Sequence, residues 1–267
     1  PFDCQFCIRL GRRLRYRSLG HIYGEMQLLR DKYGITAFVL CDEGFSANPK
    51  FIAEFCRYMI AKRGPFKFFA ATGLRLSVLT DELLELMKAA NFNRGPVGIG
   101  IESCVPRVRE LMRKSLSQEA LYRGIEMMNK HGFKPSGFFI LGFPGETREE
   151  LLETIRQSRV LKLWGAQFTP FIPLPGSPVT RMLQERGEIP KDFDFSKIDL
   201  DCVLYAPPGM TVQELDKLRR RAVFLFNIRP RMLWHHFSGG RLRWTIAKAA
   251  RLFMPAFLTP RRWRRDE

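Results

Sequence analysis

Short β-rich runs alternate with helical patterns along the first two-thirds of the chain, and this rhythm constrains the fold more than any other feature. Parallel strands joined by helical crossovers are the arrangement that packs it. Five strands are read at about 35–41 (ITAFVLC), 66–72 (FKFFAAT), 97–102 (VGIGIE), 136–142 (SGFFILG) and 166–172 (AQFTPFI). Helices are expected at about 18–33, 49–62, 80–90, 106–131 with a break near 115–117, and 147–162. Thr80 and Ser117 are N-cap residue types. Thr147 with Glu150 has the capping-box spacing, in which each side chain satisfies an unpaired amide at the helix start. After 173 the rhythm stops. A Pro-rich turn at 173–178 leads to a short helix and an acidic loop around 191–201, and a second capping pair, Thr211 and Glu214, opens a helix to about Phe226. The organisation expected is a barrel-like unit over 1–178, a connecting segment over 179–210 and a basic helical extension over 211–267.

At 267 residues, 45 % hydrophobic and 12 % aromatic, the chain has ample material for a core, which excludes wholesale disorder. Six scattered cysteines without a signal-peptide pattern argue against a secreted disulfide scaffold and for a reducing, cytoplasmic compartment. No run of 18 apolar residues occurs, so a spanning helix is not expected. The net charge of +17 is unevenly placed: residues 217–267 hold 14 Lys or Arg against 2 acids. They are interleaved with Phe224, Phe226, Trp234, Phe237, Trp244, Phe253 and Trp263. That pattern suits an anionic membrane surface, hence a peripheral place at the inner face of the membrane, or a nucleic-acid backbone. Its plainer reading is a set of amphipathic helices packed on the main domain with a solvated basic face.

Parallel βα folds bind at the carboxyl ends of their strands, and every strand here ends in a polar segment. Asp42, Glu43 and Gly44 come after the first; Thr72, Gly73 and Arg75 after the second; Glu102 and Ser103 close the third; 142–147 (GFPGET) comes after the fourth; 173–178 (PLPGSP) after the fifth. Converging on one rim, Asp42, Glu43, Glu102 and Arg75 would hold a ligand bearing an amine, a carboxylate and hydroxyls. Each has a plainer reading. Glu146 fits a first-turn helix acid as well as a functional one, and Gly142 and Gly145 fit tight turns. Glu102, after a buried Gly-Ile-Gly-Ile, needs a partner if ionised. Cys4 and Cys7 (CQFC) read equally as half a zinc site, a dithiol redox pair or part of a cluster-binding triad. Cys41 and Cys104 border strands, where buried thiols commonly just pack.

Together these pieces resemble the radical SAM superfamily, whose signature is Cys-x-x-x-Cys-x-aromatic-Cys on the loop after the first strand of a partial (β/α)6 TIM-like barrel. Cys4, Phe6 and Cys7 match its last three marked positions. The likeness implies a third cysteine immediately before Pro1, and a barrel lacking its first strand. It extends over about 1–178. Residues 137–147, with Ile140 and Gly142, look like the fifth-strand segment that contacts adenine, and 98–103, with Glu102, like the fourth-strand segment that contacts ribose. Asp42 and Glu43 stand where the family binds the amino group of S-adenosylmethionine, in a form that departs from its usual Gly-Gly-Glu. Arg75 is the candidate for the methionine carboxylate, Phe6 lies beside the cofactor, and Pro173 and Leu174 resemble the sixth-strand exit. The style of 15–18, 42–45, 98–103 and 142–147 looks most like proteins with a cobalamin-binding domain upstream, and 228–231 (IRPR) is similar to that subgroup's carboxy-terminal extension.

The resemblance implies a [4Fe-4S] cluster whose free iron chelates S-adenosylmethionine, reductive cleavage of the sulfonium and hydrogen abstraction by the resulting 5′-deoxyadenosyl radical. It implies an electron donor such as flavodoxin or ferredoxin. Cobalamin would relay a methyl group to an unactivated carbon of a lipid, tetrapyrrole or other natural product. No residue is assigned as the catalytic acid or base. Two other readings compete: an RNA-modifying, methylthiotransferase-like radical SAM enzyme, which the bulky apolar residues among the tail's charges disfavour, and a non-enzymatic protein with half a zinc site and a polyanion-binding tail. With two of three thiolates and an unpaired first strand, residues 1–267 alone are expected to be inactive.

Overall fold

The computed structural model describes residues 4–8, 15–42, 45–70, 73–199 and 202–233. Five parallel strands, β1 (Ala37–Leu40), β2 (Lys67–Ala70), β3 (Pro96–Glu102), β4 (Lys134–Leu141) and β5 (Gly165–Pro170), fall on the five expected runs. Between and after them lie α1 (Leu19–Tyr33), α2 (Pro49–Lys62), α3 (Asp81–Ala89), α4 (Pro106–Leu111), α5 (Gln118–Lys130), α6 (Arg148–Val160), α7 (Pro178–Glu185) and α8 (Val212–Asn227). The caps are those the sequence marks: Thr80, Ser117, Thr147 and Thr211 each accept a backbone N–H, and both capping boxes are complete.

Two departures matter. The strands form a β1–β2 pair and a β3–β4–β5 sheet rather than one unbroken ladder. Asn91, in the left-handed region at φ +62°, turns the chain so that 91–93 lies along Phe68 and takes the hydrogen bonds β3 would have made with β2. The pieces meet again where Leu74 N–H donates to the Gly98 carbonyl. There Gly73 (φ +85°) passes so close that a Cβ would sit 2.5 Å from the Gly98 oxygen. The break between α4 and α5 is also wider than expected, spanning 112–117, with Arg113 left-handed at φ +50°. Buried Arg109 holds it, donating to the carbonyls of Ser103 and Leu116 and to Gln118 Oε1.

Strand alternation sets the two faces. On β4, Pro135, Gly137, Phe139 and Leu141 are buried beneath the helices, while Ser136, Phe138 and Ile140 are half-buried on the open, concave side. Phe139 stacks on Phe168 at 4.9 Å, and Phe226 of α8 closes edge-on over Phe168. α8 thus packs on the barrel through Leu215, Leu218, Ala222 and Phe226, with Arg220 and Arg221 outward. This is the packed amphipathic arrangement for the extension's first helix; residues 234–267 lie outside the described residues. No helix among the described residues is long and apolar enough to cross a membrane.

Candidate functional site

The Cys4–Cys7 turn is stitched into the fold from both sides. Gln5 N–H donates to the Met112 carbonyl at the end of α4, and the Gln5 carbonyl accepts from Val179 N–H at the start of α7. Phe6 stands edge-on to Phe143 with ring centroids 6.4 Å apart, in a satellite core with Phe171, Val179 and Ile140. Cys4 is half-buried and Cys7 exposed. A hydrogen bond from the Cys7 thiol draws the Cys4 pKa down to about 6, helped by the positive charges of Lys114 and Arg75 and opposed by burial and Glu102. The donated hydrogen bond, burial and the neighbouring thiolate push Cys7 up. Lys114 and Arg75 thus favour the thiolate at Cys4, the form in which a cysteine binds a metal. Among the described residues no group of three His, Cys, Asp or Glu is placed to hold a metal ion. Cys56 and Cys104 are buried packing thiols, as expected for Cys104, whereas Cys41 is exposed.

Glu102 ends β3 in the left-handed region (φ +65°), with its side chain only 10 % exposed. Its partner is Lys114, whose Nζ lies 2.8 Å from Oε1. The pair lies over Gly100: a Cβ there would come within 2.7 Å of Glu102 Oε1 and 2.8 Å of Lys114 Nζ, so a side chain at this position would push the two charged ends aside. Sequence reasoning does not single out Lys114. The available signal is a lysine abutting the expected helix break, in a chain whose Glu102 needs a counter-ion. Arg75, just ahead of a short turn at Leu76–Val78, has its pKa lowered by burial and partly restored by Cys4. Cys4, Cys7, Glu102, Lys114 and Arg75 thus form one electrostatic group. Asp42 is exposed at the end of β1 and lines a separate groove of about 550 Å³ with Arg15, Arg17 and Phe45. Glu43 lies outside the described residues.

The 142–147 turn is locked from within. Glu146 Oε2 accepts from the backbone N–H groups of Gly142 (2.6 Å) and Phe143 (3.2 Å), while its buried Oε1 has no hydrogen-bond partner among the described residues. Burial raises its pKa to about 7 against the pull of those two bonds. The first-turn reading of Glu146 is corrected: Thr147 is the N-cap, so Glu146 precedes the helix, and Glu149 and Glu150 are the first-turn acids. Gly142 needs its freedom twice over, at φ +77° and with a Cβ position 2.4 Å from Leu215. Arg107 clamps the turn outside, donating to the Gly145 carbonyl and to both oxygens of Glu150. Those hydrogen bonds hold Glu150 down at about 2. Pro173 is buried after β5, and the Leu174 carbonyl accepts from Ser177 N–H, whose side chain caps α7 and so steadies the cysteine turn. Deeper on the concave face, Val39, Phe69, Gly98, Ser136 and Phe138 line a cavity of about 410 Å³.

Parallel strands whose carboxyl ends gather a Cys-x-aromatic-Cys turn, a carboxylate–lysine pair and a glycine-rich turn define an α/β protein that carries its polar and thiol groups on one rim. Residues 1–157 match the radical SAM superfamily, and the chain belongs to it. The family's cofactors are a [4Fe-4S] cluster and S-adenosylmethionine. An uncharacterized methyltransferase of Pyrococcus horikoshii is 29 % identical over 238 residues, covering 87 % of this chain and 50 % of that protein. The anaerobic magnesium-protoporphyrin IX monomethyl ester cyclase of Cereibacter sphaeroides is 27 % identical over 219 residues, covering 80 % and 35 %. The radical S-adenosylmethionine methyltransferase TsrM of Kitasatospora setae, solved with cobalamin and a [4Fe-4S] cluster, shares the fold with a TM-score of 0.61 at 20 % identity, over 69 % of this chain and 35 % of its own. The chain spans half or less of the length of these relatives.

Proposed function

We propose that the chain supplies the catalytic barrel of a cobalamin-linked radical SAM methyltransferase acting on a lipid, tetrapyrrole or other natural product. The observation that carries this is the group at the strand ends: the Cys4–Cys7 turn, seated between the Met112 carbonyl and the Val179 amide, beside Arg75 and the Glu102–Lys114 pair. The donor set fits the cluster, since thiolates hold iron–sulfur clusters and cations beside them favour the deprotonated form. Cys4 and Cys7 would be two ligands, with the third from a residue preceding Pro1. When bound, the cluster supplies the electron that breaks the sulfonium bond of S-adenosylmethionine.

The chain's own residues bind, orient and exclude water. Arg75 would meet the methionine carboxylate, and Glu102, oriented by Lys114, would meet the ribose. The backbone of 140–143, its Gly142 and Phe143 amides held by Glu146, would form the edge against which a planar base lies. Phe6 anchors the turn and Pro173 and Leu174 wall the exit; Asp42 with Glu43 would meet the amino group only where the groove at the end of β1 opens onto the cysteine rim. The barrel unit is taken as 1–178, a partial (β/α)6 barrel. A further strand would pair with β1, which among the described residues pairs only with β2. The connecting segment is 179–210 and the basic extension 211–267.

Anaerobic reconstitution of the full-length protein tests the reading. A [4Fe-4S] signal and formation of 5′-deoxyadenosine or S-adenosylhomocysteine are expected, both lost in Cys4→Ala and Cys7→Ala. A cluster-free protein with intact ability to bind zinc would sink it. Transfer of deuterated methyl from S-adenosylmethionine to product separates methylation from another radical outcome.

A further inference from the structure

At the opposite end of the strands from the cysteine turn, the start of β4, the residue before β5 and the segment after α8 enclose a pocket of about 320 Å³. Its walls are fixed. Asn129 donates to the carbonyls of Ile125 and Lys162, and its Oδ1 accepts both the Trp164 indole N–H (3.0 Å) and Arg231 (3.2 Å). The Arg231 guanidinium lies 4.1 Å from the Trp164 ring centre and Lys134 Nζ 4.7 Å from it. Lys162 completes a lining of three cations. Arg229 anchors this segment by donating to the carbonyls of Arg159, Leu161 and Leu163, which commits its donors elsewhere.

What sets the pocket apart is positive charge without a carboxylate partner among the described residues. Among the described residues neither Lys134, Lys162 nor Arg231 has a carboxylate within ion-pair distance, and no acid lines the cavity. The acids on neighbouring α3, Asp81 and Glu85, are already engaged by Lys130, His131 and Lys88. Like charges held on a rigid frame repel one another, and an anion placed among them relieves that repulsion. The rim carries a second feature. Val160 (68 % exposed), Ile228 (40 %) and Leu233 (40 %) are large apolar side chains left in solvent. Arg229 ties 228–233 beside the end of α6, so they flank this same end of the molecule. The sequence after Leu233 interleaves eight Lys or Arg with tryptophans, phenylalanines and leucines.

We propose that this pocket binds the phosphate of an anionic phospholipid headgroup, so that the floor of the barrel rests on a membrane surface. Cationic side chains around an aromatic ring, with exposed aliphatics at the rim, are the chemistry of the membrane interface. Eight residues of β4 separate this floor from the cysteine end, roughly 23 Å at about 3.3 Å per residue, so the two sites are distinct.

The test is co-sedimentation of the full chain with vesicles of phosphatidylcholine alone and of phosphatidylcholine with phosphatidylglycerol in equal parts. Lys134→Gln with Lys162→Gln should weaken binding to the anionic vesicles roughly 30-fold, at about fivefold per basic group at the surface. The control, Lys50→Gln with Lys191→Gln, removes the same charge outside the pocket and should change it by less than about threefold. Equal losses in both would overturn the proposal, as general basicity would then explain the binding. The exposed Lys162→Gln alone, and thermal melting of each variant, guard against a folding defect. Titration with inorganic phosphate, read at the Trp164 indole N–H resonance, separates the sources. If phosphate shifts it while anionic vesicles ignore the variants, the lipid source is overturned. If the variants instead lose tRNA binding and keep vesicle binding, the partner is nucleic acid and the proposal fails.

Discussion

Glu146 offers a perturbation whose size can be worked from its surroundings. Its carboxyl is buried, one oxygen holds the amides of Gly142 and Phe143, and the other has no partner among the described residues. The native pKa is raised from 4.5 to about 7. The folded state therefore keeps a proton that the unfolded chain releases. The associated stability is fully present below about pH 4.5 and is lost as pH rises through about 7. A displacement of that size corresponds to about 3 kcal/mol across the window, at about 1.4 kcal/mol per pH unit. Glu146→Gln keeps a carbonyl for the two amides and cannot ionise. The variant should match the parent near pH 4.5 and exceed it by up to about 3 kcal/mol near pH 8. Urea denaturation of both proteins at a series of pH values measures this, because groups common to the two cancel in the difference. Parallel stability curves would refute the reasoning, and so would a variant that loses ground as pH rises.

Three further outcomes are expected from the same geometry. Lys114→Met strands the Glu102 carboxylate at 10 % exposure and should lower stability by about 2 kcal/mol in denaturant titrations at neutral pH, with Glu102→Gln added to it recovering most of the loss. Gly142→Ala forces a Cβ to 2.4 Å from Leu215 at a positive φ. It should cost about 2 kcal/mol or more and speed amide exchange along α8, whereas exchange changes confined to 142–147 would contradict the contact. Arg229→Ala removes the donor that satisfies the carbonyls closing α6. A loss of about 2 kcal/mol is expected by calorimetry, and an unchanged melting temperature would mean water replaces it freely.

The element order was legible because each signal was local. Caps at Thr80, Ser117, Thr147 and Thr211 act within one turn, and the strands announce themselves by composition, so both survive folding unchanged. The split of the sheet was not legible. It depends on 91–93 displacing β3 from β2, a competition for the Phe68 backbone that no single run of sequence records. The exposure of Cys41 failed for a related reason: a thiol at a strand end is buried only if the next element covers it.

The site divides along the same line. Its carboxylates and glycines could be located because they come directly after strands, and the fold puts strand ends on one rim. Their counter-charges could not, since Lys114 and Arg107 come from the α4 region and reach the rim by tertiary packing. The α4–α5 break presents Lys114 to Glu102 and the Met112 carbonyl to the cysteine turn, and that break is held open by Arg109, 2 % exposed and bonded to the Ser103 and Leu116 carbonyls. Among the described residues Arg109 makes no carboxylate ion pair, and burial lowers its pKa, so its charge is supported by backbone oxygens and the Gln118 amide. A buried arginine without a carboxylate is costly to keep. Its placement is intelligible because one side chain fixes both the cation beside Glu102 and the backbone acceptor that seats Cys4 and Cys7.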